Sequence, residues 1–170
     1  MENNKRYRIG MYGGKFLPFH KGHNYCVEYA ARECETVYVI LFYGCADEEF
    51  IIREHPEWWL SLKEREKQLL KICEDNTHLA KIIPATIDVS NLRTPDGKED
   101  WDGETPLVRA LLGDQLDAVY SSEPSYDAYF KRAYPEAEHR LVDVPRIHYP
   151  ISGTKIREMT DEKEREVWMI

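Results

Sequence analysis

The sequence predicts an α/β protein built on one doubly wound parallel sheet of about five strands, with helices on both faces. Three observations support this fold class. Segments that favour β-structure alternate with helical patterns along the whole chain, which is typical of parallel sheets. Residues 36–42 form an unbroken β-branched and aromatic run, as expected of a strand covered on both faces. A glycine-rich turn follows the first β-prone segment, and open parallel sheets bind ligands in the loops that follow their strands.

The first half of the chain alternates strand and helix at regular intervals. Residues 7–12 predict a strand that ends at Gly13-Gly14, and residues 22–33 predict an amphipathic helix because their apolar side chains recur at helical spacing. After the strand at 36–42, Ser61 with Glu64 three residues later has the pattern of a capping box, which predicts that a helix begins there.

The second half repeats the alternation with shorter elements. Strands are predicted at residues 82–87, 118–121 and 140–144, and helices at 106–112, 126–133 and from 154 to the C-terminus. Pro106 suits the first turn of its helix, and Gly113 suits its end. The polar, turn-rich interval at about 89–105 is predicted to be an insertion loop. The prediction is therefore a single domain over residues 1–170, with a C-terminal helical segment at about 154–170.

Composition excludes several classes of protein. The 170 residues suit one domain, and 23 basic against 31 acidic residues give a net charge of −8, which argues against binding to nucleic acid. No apolar run approaches the roughly 20 residues of a spanning helix, and no signal peptide is recognisable. We therefore expect a cytoplasmic protein that does not bind membranes. The four cysteines lack metal-site spacing and are expected to be buried and reduced.

The loop after the first predicted strand has the features of a phosphate site. Gly13 and Gly14 permit close approach of a ligand to the backbone, and Gly22 keeps the start of the helix uncrowded. His20 and His23 are three residues apart, so in a helical first turn they would lie on the same side and donate together to phosphate oxygens. Lys15 and Lys21 add positive charge to the same loop.

A second polar loop follows the last predicted strand. Ser152 or Thr154 can cap a helix whose first turn contains Lys155 and Arg157. Hydroxyl groups, unpaired backbone N–H groups and two cations would then converge on a volume suited to a pyrophosphate. The two loops are about 130 residues apart in sequence but belong to the same edge of a parallel sheet.

These loops resemble the two signature motifs of the nucleotidylyltransferase superfamily. The first has the form G-x-F-x-P-x-H-x-G-H, and the fixed positions are filled by Gly14, Phe16, Pro18, His20, Gly22 and His23. The second, Ile151-Ser152-Gly153-Thr154-Lys155-Ile156-Arg157, resembles I-S-x-T-x-[IV]-R. The resemblance implies that the first motif binds a triphosphate and stabilises the transition state.

Further segments resemble the NadR type of nicotinamide mononucleotide adenylyltransferase domain. Lys15 stands beside Gly14 in the first motif, and Tyr120-Ser121-Ser122-Glu123 is similar to the Y-[TS]-S-E of that group. Trp101-Asp102 resembles the start of a W-D-x-W segment, in which Glu104 takes the place of the second tryptophan. The group commonly carries a ribosylnicotinamide kinase, but no Walker A motif occurs here, so we expect no kinase domain.

The resemblance implies transfer of the adenylyl group of ATP to nicotinamide mononucleotide, which gives NAD and pyrophosphate without a covalent intermediate. His20, His23, Lys15 and Arg157 are the predicted catalytic residues. Mg²⁺ is the expected cofactor, held mainly by the phosphates of ATP, with no metal site of the protein itself. The predicted substrate-binding residues are Gly13, Gly14, Phe16, Gly22, Arg53, Trp101, Ser122, Glu123, Ser152, Gly153, Thr154 and Lys155.

Several alternatives stay open at this point. The acceptor could be another phosphate, such as phosphopantetheine or a polyol phosphate, with either ATP or CTP as the donor. A nucleotide sensor without catalysis is the alternative of another class, although both motifs are intact. Arg53 is equally well explained as a solvated side chain, and Trp101 is equally well explained as an anchor of the insertion loop. The sequence does not distinguish the amide from the acid form of the mononucleotide, and a homo-oligomer is an open expectation.

Overall fold

The computed structural model describes residues 4–56, 61–147 and 149–170. Its five parallel strands form one sheet in the order β3-β2-β1-β4-β5, which confirms the predicted Rossmann-like fold class. The strands are β1 (Tyr7–Gly14), β2 (Cys34–Tyr43), β3 (Lys81–Asp88), β4 (Ala118–Ser121) and β5 (Glu138–Leu141). The helices are α1 (Lys21–Glu33), α2 (Glu48–Glu54), α3 (Leu62–Asp75), α4 (Trp101–Leu112), α5 (Asp127–Ala133), α6 (Gly153–Glu158) and α7 (Glu162–Trp168).

Two apolar clusters cover the two faces of the sheet. On one face α1 and α3 pack against Tyr12, Val39 and Leu41. On the other face α4 and α5 pack against Met11 and Ile40. Adjacent residues of β1 and β2 therefore point to opposite cores, which explains why these strands are apolar at nearly every position. All four cysteines are buried and none forms a disulfide.

The strand order reverses direction at the centre of the sheet. The chain moves outward from β1 to β2 and β3, and then returns to place β4 on the other side of β1. Tyr12 of β1 lies in register with Tyr120 of β4, so the loops that follow these two strands emerge side by side. In open α/β sheets this switch point is the usual position of a ligand.

Beyond shifts of one or two residues, three predicted elements differ from the structure. Helix α4 begins at Trp101 rather than at residue 106, because the carboxylate of Asp100 caps it by accepting from the backbone N–H of Gly103 at 3.1 Å. The final part of the predicted insertion loop is therefore helical, and Pro106 lies inside the helix. Helix α2 was not expected. It follows β2 immediately and buries Glu48 and Ile51.

The other two differences lie near the C-terminus. β5 ends at Leu141 and does not continue to residue 144, because Asp143 has a φ of +46° and its carboxylate accepts from the backbone of Ile147 and Tyr149. The predicted C-terminal helix is two helices, since Asp161 begins a new cap by accepting from the N–H of Lys163 at 2.9 Å. Within the described ranges, no helix is long and apolar enough to cross a membrane.

Candidate active site

Two neighbouring cavities lie at the carboxyl edge of the sheet. The smaller, of about 160 Å³, is lined by both predicted motifs: Lys15, Phe16, Leu17, His23, Gly153, Thr154 and Arg157. The larger, of about 330 Å³, extends over β1 and β4 toward α4 and α5. Lys15 borders both cavities. The size of the larger cavity falls in the range usual for small-molecule sites.

His20 and His23 hold each other at the start of α1. His20 is the N-cap residue rather than part of the first turn, and its Nδ1 accepts from the backbone N–H of Gly22 at 3.0 Å and of His23 at 3.4 Å. The Nδ1 of His23 accepts in return from the backbone N–H of His20 at 3.1 Å. The two rings stack with their centroids 3.6 Å apart. This reciprocal cap satisfies N–H groups that a helix start otherwise leaves unpaired.

The cap also determines which nitrogen of each ring carries the proton. A ring nitrogen that accepts a hydrogen bond is unprotonated, so in each neutral ring the proton is on Nε2. Burial and the guanidinium charges of Arg146 and Arg157 lower the pKa of His20 from 6.5 to about 3. Burial, His20 and Arg146 lower the pKa of His23 well below its ordinary value. Both rings are therefore neutral at pH 7 and can donate from Nε2. His23 lines the smaller cavity, whereas His20 does not.

Arg157 joins the two motifs directly. Its guanidinium is buried, with Nη1 donating to the backbone oxygen of Leu17 at 2.6 Å and Nη2 donating to Thr154 Oγ1 at 3.3 Å. Of Ser152 and Thr154, the two predicted caps, Ser152 caps α6, since its hydroxyl accepts from the N–H of Lys155 at 3.1 Å. A Cβ at Gly153 would lie 2.9 Å from Arg157 Nη1, so the guanidinium occupies space that only glycine leaves open.

Two glycines near the first motif leave space for the rings of neighbouring side chains. A Cβ at Gly13 would lie 2.6 Å from the ring of Phe42, and one at Gly22 would lie 2.9 Å from the ring of His20. Gly13 and Gly14 both line the larger cavity. Phe16 has a φ of +49° and packs edge-on against His23, with ring centroids 4.8 Å apart. Phe16 therefore lines the smaller cavity and packs against the ring of His23 there.

A buried ion pair that the sequence did not reveal supports Lys15. Arg65 of α3 donates from Nη1 both to Glu48 Oε1 at 3.0 Å and to the backbone oxygen of Lys15 at 3.0 Å. The Lys15 ammonium itself pairs with Asp47, which lines the larger cavity. Arg65 and Glu48 are far apart in sequence and belong to no motif, so no sequence signal identifies them.

The loop after β4 is tied to the last motif by Arg146, which sequence reasoning also missed. Arg146 donates from Nη2 to Glu123 Oε1 at 3.1 Å and from Nη1 to the backbone oxygen of Ile151 at 3.0 Å. Ser122 donates to the backbone oxygen of Val142 at 2.7 Å. Neither Ser122 nor Glu123 lines either of these two cavities, whereas Ser121 lines the larger one.

Trp101 stands at the wall of the larger cavity. Its ring packs edge-on against Tyr126 and Tyr129 at centroid distances of 4.8 and 5.2 Å, and its Nε1 donates to Glu99 Oε2 at 2.8 Å. Arg53, in the last turn of α2, is exposed and lines neither cavity. Lys155 is also exposed. The adjacent tryptophans Trp58 and Trp59, which the sequence predicts to cover the core or a subunit interface, lie outside the described residues.

Comparison with known proteins supports the predicted resemblance. The trifunctional NAD biosynthesis/regulator protein NadR of Escherichia coli (strain K12) is 28% identical over 155 residues, which cover 88% of this chain and 36% of the relative. The chain therefore spans about a third of the length of the curated relatives that it matches. No protein-family model matches the chain.

Two solved structures share the fold. The crystal structure of NadR protein in complex with NAD and AMP-PNP superposes with a TM-score of 0.65 at 23% identity, over 97% of this chain and 46% of that chain. A bifunctional NMN adenylyltransferase/ADP ribose pyrophosphatase from Francisella tularensis, complexed with AMP and a Mn ion, gives a TM-score of 0.58 at 22% identity, over 89% and 41% of the two chains. The similarity to NadR predicted from the motifs is confirmed.

Proposed function

We propose that the protein transfers the adenylyl group of ATP to nicotinamide mononucleotide, forming NAD and pyrophosphate. One observation carries the proposal: the two motifs, about 130 residues apart, line a single small cavity that opens beside a larger one. A cationic cavity next to an aromatic one matches a reaction that joins a polyphosphate to the phosphate of a ring-bearing nucleotide. The names of the similar proteins agree with this chemistry.

In this reaction the phosphate of the acceptor attacks the α-phosphorus of ATP, and pyrophosphate leaves. The nucleophile is already an anion, so no general base is required, and positioning and charge stabilisation supply the acceleration. His23 donates from Nε2 to a phosphate oxygen in the smaller cavity, with His20 fixing its ring. Lys15, at the border of the two cavities, bridges the reacting phosphates. Arg157 holds the leaving pyrophosphate together with Thr154.

Magnesium is proposed to be held mainly by the phosphates of ATP and by water. Groups of three or more metal-binding side chains are absent from the described ranges, and Mg²⁺ bound to a nucleotide needs few protein ligands. The ion supplies charge neutralisation of the polyphosphate when it is bound. Ser122 and Glu123 are proposed to border the adenine through their backbone, and Trp101 to stack on the ring of the acceptor.

The test measures pyrophosphate release from ATP and Mg²⁺ with a panel of acceptors. Turnover with nicotinamide mononucleotide is expected, turnover only with another phosphate would indicate a different acceptor, and binding without turnover would indicate a sensor. His23→Ala and Arg157→Ala should each lose about 100-fold or more in turnover, the scale of one lost charge-stabilising donor. Lys163→Ala, which removes an exposed cation of α7, is the matched control. Circular dichroism checks that each variant is folded.

A further inference from the structure

A buried carboxyl group with one unpaired oxygen lies at the larger cavity. Glu104 of α4 is only 8% exposed and lines the cavity wall. Its Oε1 is buried and has no hydrogen-bond partner within the described ranges. A buried polar atom left unpaired destabilises a protein by about 1–3 kcal/mol, so such atoms usually serve a ligand or a structural need.

The charged groups around Glu104 do not stabilise its ionised form. Glu99 lines the same cavity, and burial together with the Glu99 carboxylate raises the pKa of Glu104 to about 8. The guanidinium of Arg93 is the nearby cation, but its donors are bound to backbone oxygens, including those of Leu92 at 2.8 Å and Gly44 at 2.7 Å. Asp100 adds further negative charge. Glu104 is therefore mainly a neutral carboxylic acid at pH 7.

A carboxylic acid presents a donor and an acceptor side by side. The group complementary to it is a primary carboxamide, which accepts at its oxygen and donates from its nitrogen, so the two can form a paired set of hydrogen bonds. A carboxylate on the ligand lacks the donor and would bring a further negative charge against Glu99. Burial in an apolar, aromatic cavity makes such a mismatch costly.

We propose that Glu104, assisted by Glu99, contacts the ring substituent of the acceptor and selects an uncharged carboxamide over a carboxylate. The inference rests on the proposed function, since it assigns the ring of the mononucleotide to the larger cavity. Glu104 occupies the position where the resembling W-D-x-W segment has its second tryptophan, so a carboxyl group stands here in place of an aromatic ring.

The test compares nicotinamide mononucleotide with its nicotinic acid counterpart in wild type, Glu104→Gln and Glu104→Leu. The wild type is expected to favour the amide. Glu104→Gln keeps a donor and an acceptor side by side, so kcat/KM for the amide and the amide-to-acid ratio should both stay within about threefold of wild type. Glu104→Leu removes both groups, so KM for the amide should rise by about tenfold and the amide-to-acid ratio should fall by about tenfold, roughly the effect of one buried hydrogen-bonding mismatch, with KM for ATP unchanged.

Asp102→Asn is the matched control, because it removes one acidic charge from the same helix at an exposed site. An unchanged ratio in Glu104→Leu, or a wild-type preference for the acid, would overturn the inference. Calorimetric binding of the two mononucleotides separates this result from failure of the proposed function. If no acceptor is turned over, the proposed function fails, and a binding preference for the amide that Glu104→Gln keeps and Glu104→Leu reduces still supports the role of Glu104. Equal binding of both forms to wild type refutes it.

Discussion

Replacing His20 by asparagine tests whether its buried ring is neutral. Asparagine is a favourable N-cap residue, so an oxygen can still accept from the backbone at the start of α1 while the titrating ring is removed. The pKa of His20 is about 3 in the folded protein against an ordinary value of 6.5 in the unfolded chain, so acid protonates the unfolded chain first. The stability due to this difference is fully present above pH 6.5 and is lost progressively as the pH falls toward 3.

The magnitude follows from the two pKa values. Between pH 7 and pH 5 the unfolded chain binds about one proton at this site while the folded ring binds almost none, which removes about 2 kcal/mol of unfolding free energy. His20→Asn should therefore lose about 2 kcal/mol less than wild type over this interval. Urea unfolding followed by circular dichroism at both pH values measures the difference.

Replacement of an exposed histidine provides the control. His78→Asn changes a residue in the turn after α3, and it should leave the pH dependence of wild type unchanged. If wild type and His20→Asn lose equal stability between pH 7 and pH 5, the ring is not held neutral by its surroundings. The assignment of the Nε2 proton as a donor to phosphate would then lose its basis.

Two further predictions concern residues around the site. Glu48→Ala leaves the buried guanidinium of Arg65 without its ion-pair partner and should lower the unfolding free energy measured in urea by about 3–5 kcal/mol. Glu49→Ala, at an exposed position, is the control and should have little effect. Equal losses in the two variants would contradict the structural role of the pair. Trp101→Ala removes an aromatic side chain from the wall of the larger cavity, and it should raise KM for the mononucleotide by about threefold to tenfold with KM for ATP unchanged. A change in KM for ATP alone would place the acceptor elsewhere.

Apart from the meeting of the two motifs, which the parallel sheet predicts, the parts of the site that the sequence predicts are those made by neighbours in the chain. The cap formed by His20 and His23 lies within four residues, so their spacing predicts their proximity. Ser152 and Ser61 cap their helices for the same reason. Local rules failed at α4, where two of them competed. The preference of proline for the first turn predicted that the helix begins at residue 106, but the Asp100 cap makes it begin at Trp101.

Residues brought together over long distances could not be predicted in this way. Arg146 reaches both the loop after β4 and the last motif, and Arg65 supports the loop after β1 from α3. Each depends on the sheet order and on how the helices pack, neither of which a local pattern specifies. Glu104 is the clearest case, because as a polar residue in a helix it looks like a solvated side chain until the fold buries it.

The net charge of −8 and the proposed use of a polyphosphate are compatible because the two cavities differ in polarity. Arg157 lines the smaller cavity and Arg146 acts on the histidines beside it, whereas Glu99 and Glu104 line the larger one. Under the proposed function, the polyphosphate would be attracted to the cationic cavity and the uncharged end of the acceptor ring to the carboxyl-lined one. Each substrate would then be disfavoured in the cavity of the other, and the Lys15–Asp47 pair would lie where their reacting phosphates meet.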